Sequence, residues 1–322
     1  MGPDTTPTTR TPVFLDCDTG IDDVLAIAFL LSRPELELVG VGSVSGNLDA
    51  ARAAQNTLRV LDLLEAPDVP VAVGAHDFTA HPYAGGAPAV HGVNGIGDVV
   101  LPDTARGLDG RDAAQLLVDL AHEHRGALRV LAIGPCTNLA IALDREPGIA
   151  ELVRDVTVMG GAFLEPGNIT PHAEANVWND PEAADAVFAA RWAVTALPVD
   201  AARRQLLEAD DLRALRDDPS PVVSTVGRML EVYGEFYRGV FGRPLAVLYD
   251  PLAAALLTDA VQVTGELEQP VVVVTGDGEE RGRTTARSVD DAEAAGRRPC
   301  RIVLATEPAF APLLVDALRS FG

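Results

Sequence analysis

Between Val13 and Val73, short apolar runs alternate with segments whose apolar residues recur at helical spacing. Val13–Leu15, Leu36–Val44 and Val69–Val73 read as strands, with Asp22–Ser32 and Leu48–Leu64 as the helices between them. Such β-α-β-α-β alternation packs as a parallel sheet with helices on both faces. The expected fold is therefore α/β, with a mostly parallel, Rossmann-like core.

The pattern resumes further along. Arg111–His124 predicts a helix, Leu128–Ile133 a strand, and Thr137 opens another helix. Asp155–Met159 and Ala193–Pro198 read as strands around a helix at Pro181–Ala190. Ser220–Val240 and Asp250–Leu257 are helical, Leu267–Val274 and Arg301–Ala305 are late strands, and Pro308–Arg319 is a closing helix. Two stretches, Gly74–Gly110 and Phe163–Asp180, carry no period and read as loops; the first is too long for a plain connection and reads as a functional loop or lid. There is no internal repeat and no convincing linker. Residues 12–322 are expected to form one domain behind a disordered tail, 1–11. That tail has no apolar core of the kind a signal peptide needs. Its start matches a myristoylation pattern, but Pro3 and Asp4 follow the glycine, and a plain tail is the preferred reading.

Charge narrows the partners. The formal net charge is −22, and all 25 basic residues are arginine. Such a chain repels phosphate backbones and anionic lipid, so no nucleic-acid and no membrane partner is expected. A cation or a neutral small molecule is not repelled. Three scattered cysteines fit neither a disulfide framework nor a zinc site, and point to a reducing, cytoplasmic setting.

The polar clusters fall where strands end: Asp16-Cys17-Asp18, Ser45-Gly46-Asn47, Gly134–Asn138 and Met159-Gly160-Gly161. Parallel sheets bind ligands at the carboxyl ends of their strands, so distant positions should converge on one crevice. Four aspartates, Asp16, Asp18, Asp22 and Asp23, crowd the first of these turns. Like charges held together repel and take up protons unless a cation joins them. An all-oxygen set suits a hard ion such as calcium. Asp18 and Asp23 could share one ion, with Asp250 closing the cage. Helix capping by Asp22 and Asp23 is the plainer alternative. A third reading is the D-x-D-x-T motif of aspartate-based phosphatases, with Asp16 as nucleophile. That chemistry wants a downstream lysine, and the chain has none.

The residues resemble the nucleoside hydrolases of the inosine–uridine type. The opening D-x-D-x-G-x-D-D stands at Asp16–Asp23. It is followed by V-S-G-N at Val44–Asn47, H-G-x-x-G at His91–Gly95, G-P-C-T-N-L-A at Gly134–Ala140 and V-M-G-G-A at Val158–Ala162. G-N-I-T-P-H-A-E-A-N at Gly167–Asn176, D-P-E-A-A at Asp180–Ala184, Asp250-Pro251 and E-R-G-R-T at Glu280–Thr284 complete the order. The resemblance implies cleavage of the N-glycosidic bond of a small-molecule ribonucleoside, giving ribose and free base, with a bound Ca2+. It implies Asp18, Asp23, Asp250 and the Thr137 carbonyl as metal ligands, and Asp18 as general base on a water at the ion. Asp22 and Asn176 would bind the ribose 2′- and 3′-hydroxyls, Asn168 and Glu174 the 5′-hydroxyl, with Asn47 and Met159 lining the site. The transition state would be oxocarbenium-like, and the family's usual assembly implies a homodimer or homotetramer.

The chain departs from the resemblance in three places. Tyr249 stands where histidine usually precedes the late aspartate. A phenol can donate a hydrogen bond but is a poor proton donor near pH 7. His91, His172, Tyr233 and Tyr237 are further candidate donors at the base. Thr19 replaces a usual proline and is expected to loosen the turn. Ala175 replaces a usual phenylalanine and should widen the pocket. A calcium-dependent binding protein that has lost turnover is therefore the alternative reading.

Overall fold

The computed structural model describes residues 10–322. Of the stretch read as tail, 1–9 lie outside the described residues, and Thr11 already pairs with Leu36 in the sheet.

The strands are β1 (Thr11–Cys17), β2 (Leu36–Ser43), β3 (Val71–Val73), β4 (Arg129–Ala132), β5 (Asp155–Met159), β6 (Val194–Leu197), β7 (Leu206–Glu208), β8 (Leu245–Val247), β9 (Gln262–Gln269), β10 (Val271–Val273), β11 (Thr284–Ala286) and β12 (Cys300–Glu307). The first half of the chain adds the helices α1 (Ile21–Leu31), α2 (Ala50–Leu63), α3 (Pro88–His91), α4 (Ala113–Glu123), α5 (Thr137–Arg145) and α6 (Ile149–Leu152). The second half adds α7 (Ala175–Asn179), α8 (Pro181–Ala189), α9 (Val199–Ala202), α10 (Ala209–Arg216), α11 (Pro221–Phe241), α12 (Tyr249–Ala255) and α13 (Ala311–Arg319).

Eight strands form the central sheet in the order β3-β2-β1-β4-β5-β6-β12-β9. Every pairing in it is parallel except that of β12 with β9. Side chains alternate across each strand. Val13, Leu15 and Cys17 of β1 enter one apolar layer with Leu131 of β4, while Phe14 enters the other with Val130 and Ala132. The first layer holds α1, α11, α12 and α13, and the second holds α4, α5 and α8. Burial on both faces is why these strands read as continuous apolar runs. Helix α1 is buried from Ile21 to Leu30, aspartates included.

Chain direction reverses at β1: β2 and β3 build outward on one side, β4 to β6 on the other. The crevice at that switch lies beyond the carboxyl ends of β1 and β4, where Asp18 and Thr137 stand.

Two expectations need correction. Leu267–Val274 is not one strand. Pro270 lacks an N–H and cannot continue the ladder. β9 stops at Gln269 and stays in the main sheet, while β10 turns into a separate hairpin with β11. Nor are the aperiodic stretches wholly irregular: α3 lies within 74–110 and α7 within 163–180. Both are under two turns, too short to show a helical period.

Candidate active site

The aspartate turn is held by its own backbone. Asp23 Oδ2 accepts from the Gly20 N–H at 2.7 Å, and Asp23 Oδ1 from the Asp18 N–H at 3.3 Å. Asp18 Oδ2 accepts from the Asn47 N–H at 2.6 Å, which ties the end of β1 to the loop after β2. Gly20 is required here: a Cβ would lie 2.6 Å from His91 Nδ1 and 2.7 Å from Asn47 Nδ2. Gly46 is required for the same reason, since its Cβ would lie 2.0 Å from Asp18 Oδ2.

Oxygens of Asp22, Asp23 and Asp250 come within 4.8 Å of one another, and all three residues are buried. Asp18 adjoins this group through its bond to Asp23. Among the described residues no arginine pairs with any of the four, and the one imidazole in reach, His91, stands 3.8 Å from Asp22. Asp18 Oδ1 and Asp22 Oδ1 are buried without a hydrogen-bond partner. Burial, followed by the push of neighbouring charge, raises Asp23 and Asp250 well above the usual carboxylate range, and burial lifts Asp18 to about 7. Four acids this close cannot all be charged without a counter-ion. The donors are all oxygen, two of them unused, and that set fits a hard divalent cation. Thr137 donates its hydroxyl hydrogen to Asp180 Oδ2 at 2.7 Å, which turns its side chain toward Asp180.

Above the carboxylates opens a cavity of about 570 Å³. It gathers Asp22, Asn47, His91, Met159, Asn168, Glu174, Asn176, Tyr249 and Asp250 from nearly the whole chain. Asp18, Asp23 and Thr137 are buried beside it rather than on its wall. Glu174 caps α7, accepting from the N–H groups of Gly161, Asn176 and Val177, while burial raises it to about 7. Asn176 donates through Nδ2 to the carbonyls of Ile133 and Met159, so its side-chain oxygen is free to accept. Asn168 is the reverse: its Oδ1 accepts from the Ala175 N–H at 2.9 Å, which leaves the NH2 end to donate, next to the Tyr249 hydroxyl. His91 Nδ1 accepts from the Ile21 N–H at 3.1 Å, placing the proton of the neutral ring on Nε2. Burial lowers the His91 pKa and favours that neutral form.

The model of the inosine–uridine preferring nucleoside hydrolases matches residues 13–309. The chain belongs to that family. It is 32% identical to the inosine-uridine preferring nucleoside hydrolase of Leishmania major, over 96% of this chain and 98% of that one. It is 37% identical to uridine nucleosidase 1 of Arabidopsis thaliana over 75% and 72%. Among solved structures it superposes on a purine-preferring ribonucleoside hydrolase from Gardnerella vaginalis with a TM-score of 0.86 and 29% identity, over 96% and 97% of the chains. Nucleoside hydrolases cleave the N-glycosidic bond of ribonucleosides, and this protein is a hydrolase of that kind.

Against the nucleoside hydrolase pattern, some expectations shift. Thr19 does not loosen the turn: it is fully buried, with its hydroxyl 2.7 Å from that of Thr57. Asp16, the nucleophile of the phosphatase reading, is sealed in, bonded to Asn138 Nδ2 at 2.7 Å and pushed by burial to about 8. His172 leaves the site altogether and lines a separate groove with Glu165 and Arg283. Ala175 does line the cavity, where a larger side chain would narrow it. Sequence reasoning missed the apolar wall as a unit. Tyr233, Phe236, Tyr237, Val240 and Phe241 form one stripe of α11 that ends in the cavity. The signal in the sequence was the helical spacing of the stripe; the structure adds that Val240 and Phe241 stay 59% and 43% exposed.

Among the described residues no helix is long and apolar enough to cross a membrane.

Proposed function

We propose that the protein hydrolyses the N-glycosidic bond of ribonucleosides to ribose and free base, with calcium as its resident ion. The observation that carries this reading is the buried meeting of Asp22, Asp23 and Asp250, the first and last of them on the cavity wall, uncompensated by any arginine among the described residues. Asp18, Asp23, Asp250 and the Thr137 carbonyl would hold the ion. Calcium, when bound, supplies charge that orients vicinal hydroxyls and favours ionisation of water.

The chain's own groups do the rest. Asp18 Oδ2 is fixed by the Asn47 N–H, which leaves Oδ1 to take the proton of the attacking water. Asp22 and the free oxygen of Asn176 accept from the ribose 2′- and 3′-hydroxyls. The Asn168 NH2 donates to the 5′-oxygen, and Glu174 accepts from it. As the bond to the base lengthens, positive charge grows on the ribose, and the carboxylate floor stabilises it. Tyr233, Tyr237 and Phe241 offer a stacking surface to the base. Tyr249, kept protonated by burial, donates a hydrogen bond to it.

A net charge of −22 supports a neutral nucleoside over a nucleic acid or an anionic membrane. We place the enzyme in the cytoplasm as a homodimer or homotetramer, which light scattering on the purified protein tests. Relatives named for uridine and for purines stand side by side, so the base is left to assay. Reducing-sugar release over a panel of ribonucleosides is the deciding experiment. Ribose release from at least one member is expected; nucleoside binding without it would favour the turnover-deficient alternative.

A further inference from the structure

The segment from Gly160 to Glu174 carries Asn168 yet, apart from a single bridge at Ala173, has no regular structure. Gly167, Ile169 and Thr170 make turn bonds to the Pro171 and Ala173 carbonyls, and the stretch before Asn168 is held by side chains. Gly161 donates to Glu174, and Ala162 exchanges two hydrogen bonds with the Thr284 hydroxyl. The next five residues all answer to one short turn. Asp200 accepts from the N–H groups of Phe163, Leu164 and Glu165 at 3.0, 2.6 and 3.1 Å. Three residues on, Arg203 donates to the carbonyls of Pro166 and Gly167 at 2.7 and 2.8 Å. An acid collects the donors and a base the acceptors, up to the residue before Asn168. Asp200 is buried, and among the described residues it forms no ion pair. Arg203 reaches the cavity wall itself.

We propose that Asp200 and Arg203 are positioning residues that set Asn168 against the substrate 5′-hydroxyl and so make the enzyme demand that hydroxyl. The inference rests on the assignment of Asn168 to the 5′-hydroxyl given above. Glu174 is held separately, by Gly161, Asn176 and Val177; Arg203 also adjoins the Tyr249 hydroxyl, and the comparison with 5′-deoxy substrates isolates its route through Asn168. A charged hydrogen bond is stronger than a neutral one and directional, which suits a loop with no ladder of its own. Lysine cannot replace Arg203, because an ammonium lacks the planar fork that spans two adjacent carbonyls.

The test compares uridine with 5′-deoxyuridine, and inosine with 5′-deoxyinosine, in wild type, Arg203→Lys, Asp200→Asn and Asn168→Ala. Wild type should prefer the hydroxylated substrate. Each clamp variant should lose about tenfold to a hundredfold in kcat/KM on it and much less on the 5′-deoxy substrate, so the preference collapses. Arg203→Lys combined with Asn168→Ala should be no worse than Asn168→Ala alone, since both remove one interaction. Arg203 is half-buried and the lysine variant keeps its charge, so it carries the test if Asp200→Asn does not fold. If wild type treats the paired substrates alike, the 5′-site assignment falls. If wild type discriminates but the variants lose equally on both substrates, or add to Asn168→Ala, the assignment stands and the clamp is overturned.

Discussion

Tyr233 donates its hydroxyl hydrogen to Asp22 Oδ2 at 3.0 Å, across 211 positions of chain. The bond joins the aromatic wall of α11 to the carboxylate floor at the start of α1. Asp22 Oδ1 keeps no partner, so one oxygen is fixed and the other is free for substrate. Tyr233→Phe should remove the tether and leave the ring's packing intact. A hydrogen bond to a charged group is worth about 1.5–3 kcal/mol, so kcat/KM for the best nucleoside should fall roughly tenfold to a hundredfold. Steady-state kinetics measure this; an unchanged kcat/KM would remove Tyr233 from the site's machinery.

Calcium should stabilise the fold as well as serve the reaction. A ligand at a hundred times its Kd adds about 2.7 kcal/mol to the folded state. For a domain of this size that is a rise in Tm of several degrees. Chelator-treated protein should melt lower, and calcium should restore it. Asp23→Asn and Asp250→Asn should abolish the calcium-dependent shift, measured by differential scanning fluorimetry. A shift that survives in both variants would place the ion elsewhere.

Much of this site could be read from the chain because its residues sit at strand ends, where a continuous apolar run stops and polar residues begin. Asp18, Asn47 and Thr137 follow β1, β2 and β4 in that way, and parallel topology makes them converge. The fold was legible for the same reason: β1 to β6 are buried on both faces, so apolar runs mark them. What was missed depends on pairing. Leu267–Val274 looks like one strand unless Pro270 is read as a break. The three-residue β7 and β8 exist only because Leu206–Glu208 lies against Leu245–Val247. Asp200 and Arg203 look like ordinary surface charge, because the backbone they hold is more than thirty residues away in sequence.

Asp18 is the proposed base, and its two oxygens have different work. Asp18→Asn keeps an acceptor for the Asn47 N–H but cannot take a proton. Loss of general-base catalysis costs about 10² to 10⁴-fold, and the fall should appear in kcat. Rapid-quench measurement of the first turnover isolates that step. Turnover within a few-fold of wild type would transfer the role to another carboxylate.

Tyr249 bears on which base is released. Burial holds its pKa above the ordinary phenol value, so at neutral pH it stays protonated and is able to donate a hydrogen bond but not the proton. A purine leaving group gains from full protonation at the ring, whereas hydrogen bonding alone can suffice where the departing anion is already delocalised over carbonyl oxygens. Tyr249→His would place a group with an ordinary pKa of about 6.5 at this end of the cavity. The inosine-to-uridine ratio of kcat/KM should then rise by about tenfold or more, near the low end of what general-acid catalysis contributes. The gain should lie in kcat and diminish as pH is raised through the imidazole's titration. A ratio that does not move, or that rises without pH dependence, would show that Tyr249 shapes the pocket and takes no part in releasing the base.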